Sequence, residues 1–181
     1  EIPLRLVGSE MCIRDRFDGQ PLDELPPYCI AGRDENGGWH VIKTAKVTEA
    51  VEAAGKVIKV AKNHLFAVGD FVTAGGKFDG ASDKITIIDK SNAAYDSITL
   101  AAAIGAIAKD MVLVTVKAKT DAGSAEATVE TSEVAITMAK VDLTVANQSC
   151  GLMVRGTIEE RNMPFPLDAD LKKLMPLIRF V

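Results

Sequence analysis

Two histidines are the residues of this 181-residue chain best suited to acid–base or metal chemistry. Imidazole titrates near neutral pH and is a common metal ligand, but a metal site needs further His, Cys or carboxylate ligands at a characteristic spacing. His40 lies beside Trp39 in a β-prone run, and His64 precedes Leu65 and Phe66 in a turn; neither has such a partner at a suitable spacing. We therefore expect His64 to satisfy hydrogen bonds of its turn, and the sequence predicts no metal site.

Two pairs of aspartates have a spacing that could serve calcium binding or acid–base catalysis. Asp79 and Asp83 lie near Gly80, but the twelve-residue calcium loop with its terminal glutamate is absent, which favours a solvated turn. Asp168 and Asp170 stand where a short helix is expected to begin, and capping and the helix dipole explain both. Neither pair is predicted to be catalytic.

Nucleophilic and nucleotide-binding motifs are also missing from the sequence. No G-x-S-x-G elbow occurs, and the glycine-rich stretch AGGKFDG at 74–80 lacks both the lysine–hydroxyl pair of a phosphate-binding loop and the dinucleotide fingerprint. It is more typical of a β-hairpin. The sequence thus predicts no catalytic residues, no cofactor-binding residues and no cofactor, and the chain is not expected to be an enzyme.

The first sixteen residues have an unusual origin. The stretch LVGSEMCIRDR, residues 6–16, has neither helical nor strand periodicity and lacks the apolar run of a signal peptide. It resembles the in-frame translation of a transposase-type sequencing adapter. Residues 1–16 are therefore interpreted as a non-native, adapter-derived segment, and the natural N-terminus is expected to be missing.

Charge and hydropathy exclude several classes of partner. The net charge is −4, and the basic residues do not gather into a patch, so neither a nucleic acid nor an anionic membrane is an expected partner. No apolar run approaches the roughly 20 residues that cross a bilayer, so we expect a soluble chain. Cys29 and Cys150 are far apart in sequence and are expected to be small buried apolar residues.

Hydrophobic periodicity and turn residues predict a mainly β chain. The segment 17–38 is rich in Pro and Gly and is expected to be an irregular arm, whereas 39–118 contains short alternating strands typical of a small barrel or sandwich-like β domain. The small polar residues 119–133 suggest a linker. Residues 134–181 are expected to form a short α+β C-terminal module of two strands, a helix and a strand, whose ending LIRFV is held in a sheet or against another subunit.

Composition also favours self-association. Alanine is abundant at 101–108 and 122–127, and aromatic residues make up only 5% of the chain. Small side chains bury little apolar area each, so a core built from them gains less than one built from large side chains. We expect a homo-oligomer, with the apolar C-terminus and the proline-rich arm as contacts.

Three stretches carry a family resemblance: VIKVAKNHLFAVGDFV at 57–72, ITIIDKSNAAYDSITL at 85–100 and the ending GLMVRGTIEERNMPFPLDADLKKLMPLIRFV at 151–181. Together they resemble the head fibres and related capsid-attached proteins of tailed bacteriophages, as met in prophages, over residues 55–181. The matching positions are Gly69, Asp70, Gly151, Gly156, Glu160, Pro164, Pro166 and 171–180. The resemblance implies a structural protein of the virion that forms a homo-oligomer, with a homotrimer favoured. It would assemble in the cytoplasm of the bacterial host and bind to capsid protein.

A ligand-binding module is the alternative function. A carbohydrate-binding β domain would use exposed aromatic side chains beside polar groups, and its contact surface would be drawn from Trp39, His40, Phe66, Phe78 and Tyr95. We expect Trp39, Phe66 and Tyr95 to be scattered through cores instead of lying side by side in solvent. Their exposure therefore discriminates between the two functions.

Overall fold

A computed structural model describes residues 11–13, 24–34, 36–75, 80–121, 133–142, 144 and 148–181, with the backbone alone described at 11–13 and 148. Strand residues make up 43% of the described residues and helical residues 6%, which confirms the mainly β class. The chain divides into two compact units, the first comprising Glu1–Val41, Thr131–Pro164 and Leu174–Val181 and the second Ile42–Glu130 and Phe165–Lys173. Both units are discontinuous in sequence, unlike the contiguous segments expected.

The described residues contain sixteen strands and one short α-helix. In chain order the strands are β1 (Met11–Ile13), β2 (Glu24–Leu25), β3 (Ile30–Arg33), β4 (Trp39–Val41), β5 (Thr44–Lys46), β6 (Val57–Val60), β7 (Phe71–Ala74), β8 (Ser82–Asp89), β9 (Asp96–Leu100), β10 (Val112–Val116), β11 (Glu133–Thr137), β12 (Val141–Asp142), β13 (Gln148–Cys150), β14 (Leu152–Met153), β15 (Gly156–Ile158) and β16 (Ile178–Phe180), and the helix is α1 (Ala169–Lys173).

The first unit is built around a six-stranded sheet of order β13-β1-β4-β3-β11-β14. Strands β3 and β4 form an antiparallel hairpin, and β3 also pairs with β11 on its other side. Strand β1 pairs through its backbone with β13 and β4. The pairing of β1 has no bearing on whether residues 1–16 derive from a sequencing adapter, so this origin stays a prediction.

The prediction of an irregular arm over 17–38 is wrong for Ile30–Arg33. Ile30 and Ala31 are buried in the sheet and Gly32 lies within the strand, while Pro27 and Gly37 lie in the turns on either side. Asp34 closes the hairpin turn, because its Oδ1 accepts hydrogen bonds from the N–H groups of Asn36 and Gly38 at 2.8 and 2.7 Å.

The C-terminal residues 174–181 end in a strand. β16 pairs in parallel with β15, and the N–H of Val181 donates to the carbonyl of Ile158 at 3.0 Å. This confirms that the ending LIRFV is held in a sheet. Within the described residues, the region 134–181 contains more and shorter strands than the two expected before the helix, since β11 to β15 all precede it.

The second unit is a curled antiparallel sheet of order β5-β10-β7-β8-β9-β6 around an apolar core. The core includes Ile58, Phe66, Val72, Ile98 and Leu113, each fully buried. Val47, directly after β5, forms an isolated bridge with Val60, the last residue of β6, but in the described residues these two end strands are not paired as strands. The sheet is therefore sandwich-like rather than a closed barrel.

The remaining local predictions for the second unit have mixed outcomes. β7 and β8 pair in antiparallel fashion, which confirms the hairpin at AGGKFDG, although 76–79 lie outside the described residues. The prediction of a solvated turn is wrong for Asp83, which lies in β8 and is 4% exposed.

The helix expected after Asp168 is present, and the carboxylate of Asp168 accepts the N–H of Asp170 at 3.1 Å. Of the linker, 122–132 lie outside the described residues, while Thr120 forms a bridge to Ser82.

Candidate functional site

The segment between β6 and β7 places His64 inside the second unit. Asn63 adopts a φ of +64° and turns the chain, after which the imidazole is buried with only 3% of the residue exposed. Nδ1 of His64 accepts the N–H of Phe66 at 3.2 Å, and the centres of the two rings lie 5.4 Å apart. His64 therefore satisfies its own turn, as the sequence analysis predicted.

Asp96 lies opposite His64 at the start of β9. The register of β6 on β9 pairs Val60 with Asp96, which brings the carboxylate beside the chain that leads into His64. Nε2 of His64 lies 3.3 Å from Oδ2 of Asp96, but it has no hydrogen-bond partner of suitable geometry in the described part of the chain. Lys62 neutralises the carboxylate, since its Nζ lies 2.6 Å from Oδ1 of Asp96.

Burial keeps the imidazole neutral. Desolvation lowers the pKa of His64 to about 4; Asp96 and Asp70 raise this pKa, and Lys90 and Lys62 lower it further. Because Nδ1 accepts a hydrogen bond, the proton of the neutral ring resides on Nε2. A general base that works near pH 7 needs a pKa near that value, so His64 is poorly matched to this role.

An ion pair between Lys43 and Asp70 fixes the C-terminal end of the segment between β6 and β7. Nζ of Lys43 lies 2.8 Å from Oδ2 of Asp70, and the same carboxylate oxygen accepts the N–H of Ala67 at 2.8 Å. Gly69 has a φ of +107°, and its N–H donates to the carbonyl of Ile85 at 2.9 Å. The Gly69-Asp70 pair thus builds a turn and anchors it to β8.

The structure thus gathers one histidine and two carboxylates, a set of groups that serves acid–base catalysis when a substrate can reach it. Here the side chains of His64 and Asp96 are only 1% and 3% exposed, and a lysine lies against each carboxylate. We refer to His64, Asp96, Lys62 and Asp70 as the polar cluster; the side chains of Lys62 and Asp70 are 31% and 20% exposed. In this arrangement the cluster can hold the segment between β6 and β7, and its imidazole is almost completely shielded from solvent.

Sequence reasoning missed the approach of His64 to Asp96. The two residues lie about 30 positions apart in the sequence, with the two strands β7 and β8 between them. The usable signal was the β-prone character of the residues that form β6 and β9, because the register of these two strands alone places Asp96 next to Val60.

In the described part of the chain, the candidate aromatic side chains do not form an exposed surface. Trp39 and Phe66 are 1% and 0% exposed, each in the core of its own unit. Tyr95 is half-buried and has Nζ of Lys59 5.0 Å from its ring centre, and Nε2 of His40 lies 2.9 Å from Oδ2 of Asp34. The expectation that Trp39 and Phe66 are buried in cores is confirmed, and Phe78 lies outside the described residues.

The cysteines agree with their predicted role. Cys29 and Cys150 are buried free thiols. Burial raises the pKa of Cys29 to about 12, although a hydrogen bond with Thr137 lowers this pKa and the nearby Cys150 raises it. Across the described ranges, no group of three or more His, Cys, Asp or Glu residues is arranged to hold a metal ion. No helix in the same ranges is long and apolar enough to cross a membrane.

A comparison of the chain with known protein families, with curated proteins and with solved structures found no match in any of the three.

Proposed function

We propose that this chain is a structural protein of a tailed-bacteriophage virion, of the head-fibre or capsid-decoration type. It acts by self-assembly and by attachment to the capsid. Its partners are further copies of itself, with a trimer favoured, and capsid protein. The proposal includes no enzyme activity, no cofactor, and neither a nucleic acid nor a membrane as partner.

The positions that carry the resemblance have structural rather than chemical roles where they are described. Gly69 supplies the positive φ of a turn, and Asp70 forms an ion pair with Lys43. A Cβ on Gly156 would lie 3.0 Å from Sδ of Met153, so glycine allows close packing there. Such residues maintain a scaffold, which suits a virion component.

One observation carries the proposal: the residues on either side of the C-terminal strand β16 hold large apolar side chains in solvent. Leu177 and Val181 are 63% and 57% exposed, while Ile178 between them is buried. The backbone is fixed, because the N–H of Gly156 donates to the carbonyl of Leu177 and the N–H of Glu160 to that of Val181. Apolar side chains held in place at the surface typically mark an interaction site.

A closed homotrimer would bury this surface efficiently. A three-fold axis brings three identical C-terminal strands together, so each exposed leucine and valine is covered by its counterparts without a further partner. The rest of each protomer then remains available for the capsid.

No structural observation favours the alternative of carbohydrate binding. Two of the candidate contact residues, Trp39 and Phe66, are buried, and a sugar site needs its aromatic faces in solvent.

The proposal is tested by measuring the mass of the full chain in solution and its binding to capsids. Sedimentation velocity at low micromolar concentration should give a trimer, and Leu177→Lys should shift it to monomer at that concentration, because three buried lysines repel each other. Val68→Lys, an equally exposed apolar position in the second unit, should leave the trimer intact. The full chain should also co-sediment with capsids assembled from the major capsid protein of the same genome. The proposal is contradicted if the chain is a monomer at every concentration and stays in the supernatant when the capsids sediment.

A further inference from the structure

The outer face of β6, β9 and β8 carries an exposed apolar row. The strand registers pair Thr99 with both Val57 and Ile87, so these three side chains lie in one line across three strands. Val57 and Ile87 are 51% and 58% exposed. The row is therefore open to solvent.

A β-bulge creates this row. Ile85 pairs with Leu100 but Ile87 pairs with Thr99, which leaves Thr86 as an extra residue. In an unbroken strand Ile87 would point to the same side as Ile85, which is fully buried. A bulge that re-aims a side chain is typically a selected feature, and here it turns an isoleucine out of the core.

The adjacent line across the same three strands consists of Lys59, Ser97 and Asp89, and therefore carries opposite charges at its two ends. Ser97 pairs with Lys59 on one side and with Asp89 on the other. A two-fold axis along β9 lays β6 of one copy over β8 of a second copy, with the two faces together. Val57 then meets Ile87, and Lys59 meets Asp89, twice in each pair.

We propose that this face binds the same face of a second copy of the chain through an isologous two-fold contact. The inference deepens the self-assembly proposed above, but it uses residues separate from the C-terminal strand. Its area is small: strands about 4.8 Å apart and about 3.3 Å per residue give a face well below the roughly 800 Å² per partner of a standard interface. The contact is accordingly weak alone and effective when other contacts already hold several copies together.

Charge reversal tests the geometry directly. The full chain with Leu177→Lys serves as the background, so that contacts at the C-terminal strand are removed and association through the sheet face is read alone. In that background Lys59→Asp places two acids in each contact, and Asp89→Lys places two bases. Each single variant should fail to associate, whereas an equimolar mixture should form a heterodimer, because both charge pairs are then restored.

Sedimentation equilibrium from about 10 µM to 1 mM provides the readout. We expect dimers in the background protein, a Kd at least tenfold higher after Ile87→Lys, and recovery of association in the charge-reversed mixture. Circular dichroism checks folding, since Lys59 also pairs with Glu49. A folded background protein that stays monomeric at 1 mM, or a charge-reversed mixture that stays monomeric, overturns the inference. Because the C-terminal contact is absent from every protein in this experiment, the result can be interpreted even if the proposed trimer does not form.

Discussion

Nε2 of His64 lies 3.3 Å from Oδ2 of Asp96, and both side chains are almost fully shielded from solvent. The imidazole is neutral, since burial lowers the pKa of His64 to about 4. The acid paired with it is held by Lys62. The protonation state of His64 therefore depends on the fold, and the stability of the fold in turn depends on pH.

Acidification should destabilise the second unit through His64. The unfolded chain binds a proton at this residue below pH 6.5, whereas the folded chain does so only below about 4. The stabilising contribution is thus complete above pH 6.5 and is lost as the pH falls from 6.5 to 4, by about 3 kcal/mol in total. His64→Asn keeps a side-chain acceptor for the N–H of Phe66 but does not titrate, so its stability should fall less over this window.

Urea unfolding at pH 7.5, 6, 5 and 4 measures the difference between the two proteins. Carboxylates elsewhere in the chain contribute equally to both, so the difference isolates His64. Parallel pH profiles would show that the imidazole is already protonated in the folded state or is not buried.

Gly69→Ala should lower the free energy of unfolding by about 1–2 kcal/mol. The φ of Gly69 is +107°, which an alanine adopts only with strain, while its added Cβ would lie no closer than 3.8 Å to Cε of Lys84. Backbone strain rather than a clash is therefore the cause. Gly151→Ala is the matched control, because its Cβ also has room, 3.8 Å from Cβ of Met138, and its φ is not in the positive range. Equal stability of the two variants in urea titrations would rule out strain at Gly69.

The thiols of Cys29 and Cys150 should resist alkylation and disulfide exchange in the folded protein. Both are buried, and the pKa of Cys29 is raised to about 12, so at pH 8 it is a neutral thiol rather than the reactive thiolate. The experiment uses Cys12→Ser protein and a chromogenic disulfide reagent at pH 8. Two thiols should react only in denaturant; rapid reaction of either under native conditions would contradict the assignment.

The sequence predicts the strands of the second unit well, because alternation is a local signal. Met111 to Lys117 alternates apolar residues, and the structure has β10 at Val112–Val116. The short helix is predictable for the same reason, since Asp168 caps it from an adjacent position.

Non-local pairing accounts for what the sequence does not reveal. Ile30–Arg33 lies between turn residues and looks irregular until β11, about 100 residues later, pairs with it. The approach of His64 to Asp96 has the same origin, since it depends on the register of β6 on β9. Ile87 is a third case, because alternation predicts a buried residue where the bulge produces an exposed one.

The pairing of β3 with β11 also depends on one buried hydroxyl. Thr137 is fully buried, and its Oγ1 accepts the N–H of Cys29 at 2.9 Å next to Tyr28, whose φ is +68°. Thr137→Val preserves the shape but leaves the N–H of Cys29 unsatisfied, which should cost about 1–3 kcal/mol. Thr137→Ser retains the acceptor and loses one methyl group, which should cost about 1 kcal/mol. Hydrogen exchange at the Cys29 amide separates the two causes, because it should accelerate in the valine variant more than overall stability explains and should stay slow in the serine variant. If the Cys29 amide exchanges equally fast in both variants, the hydroxyl does not hold this turn.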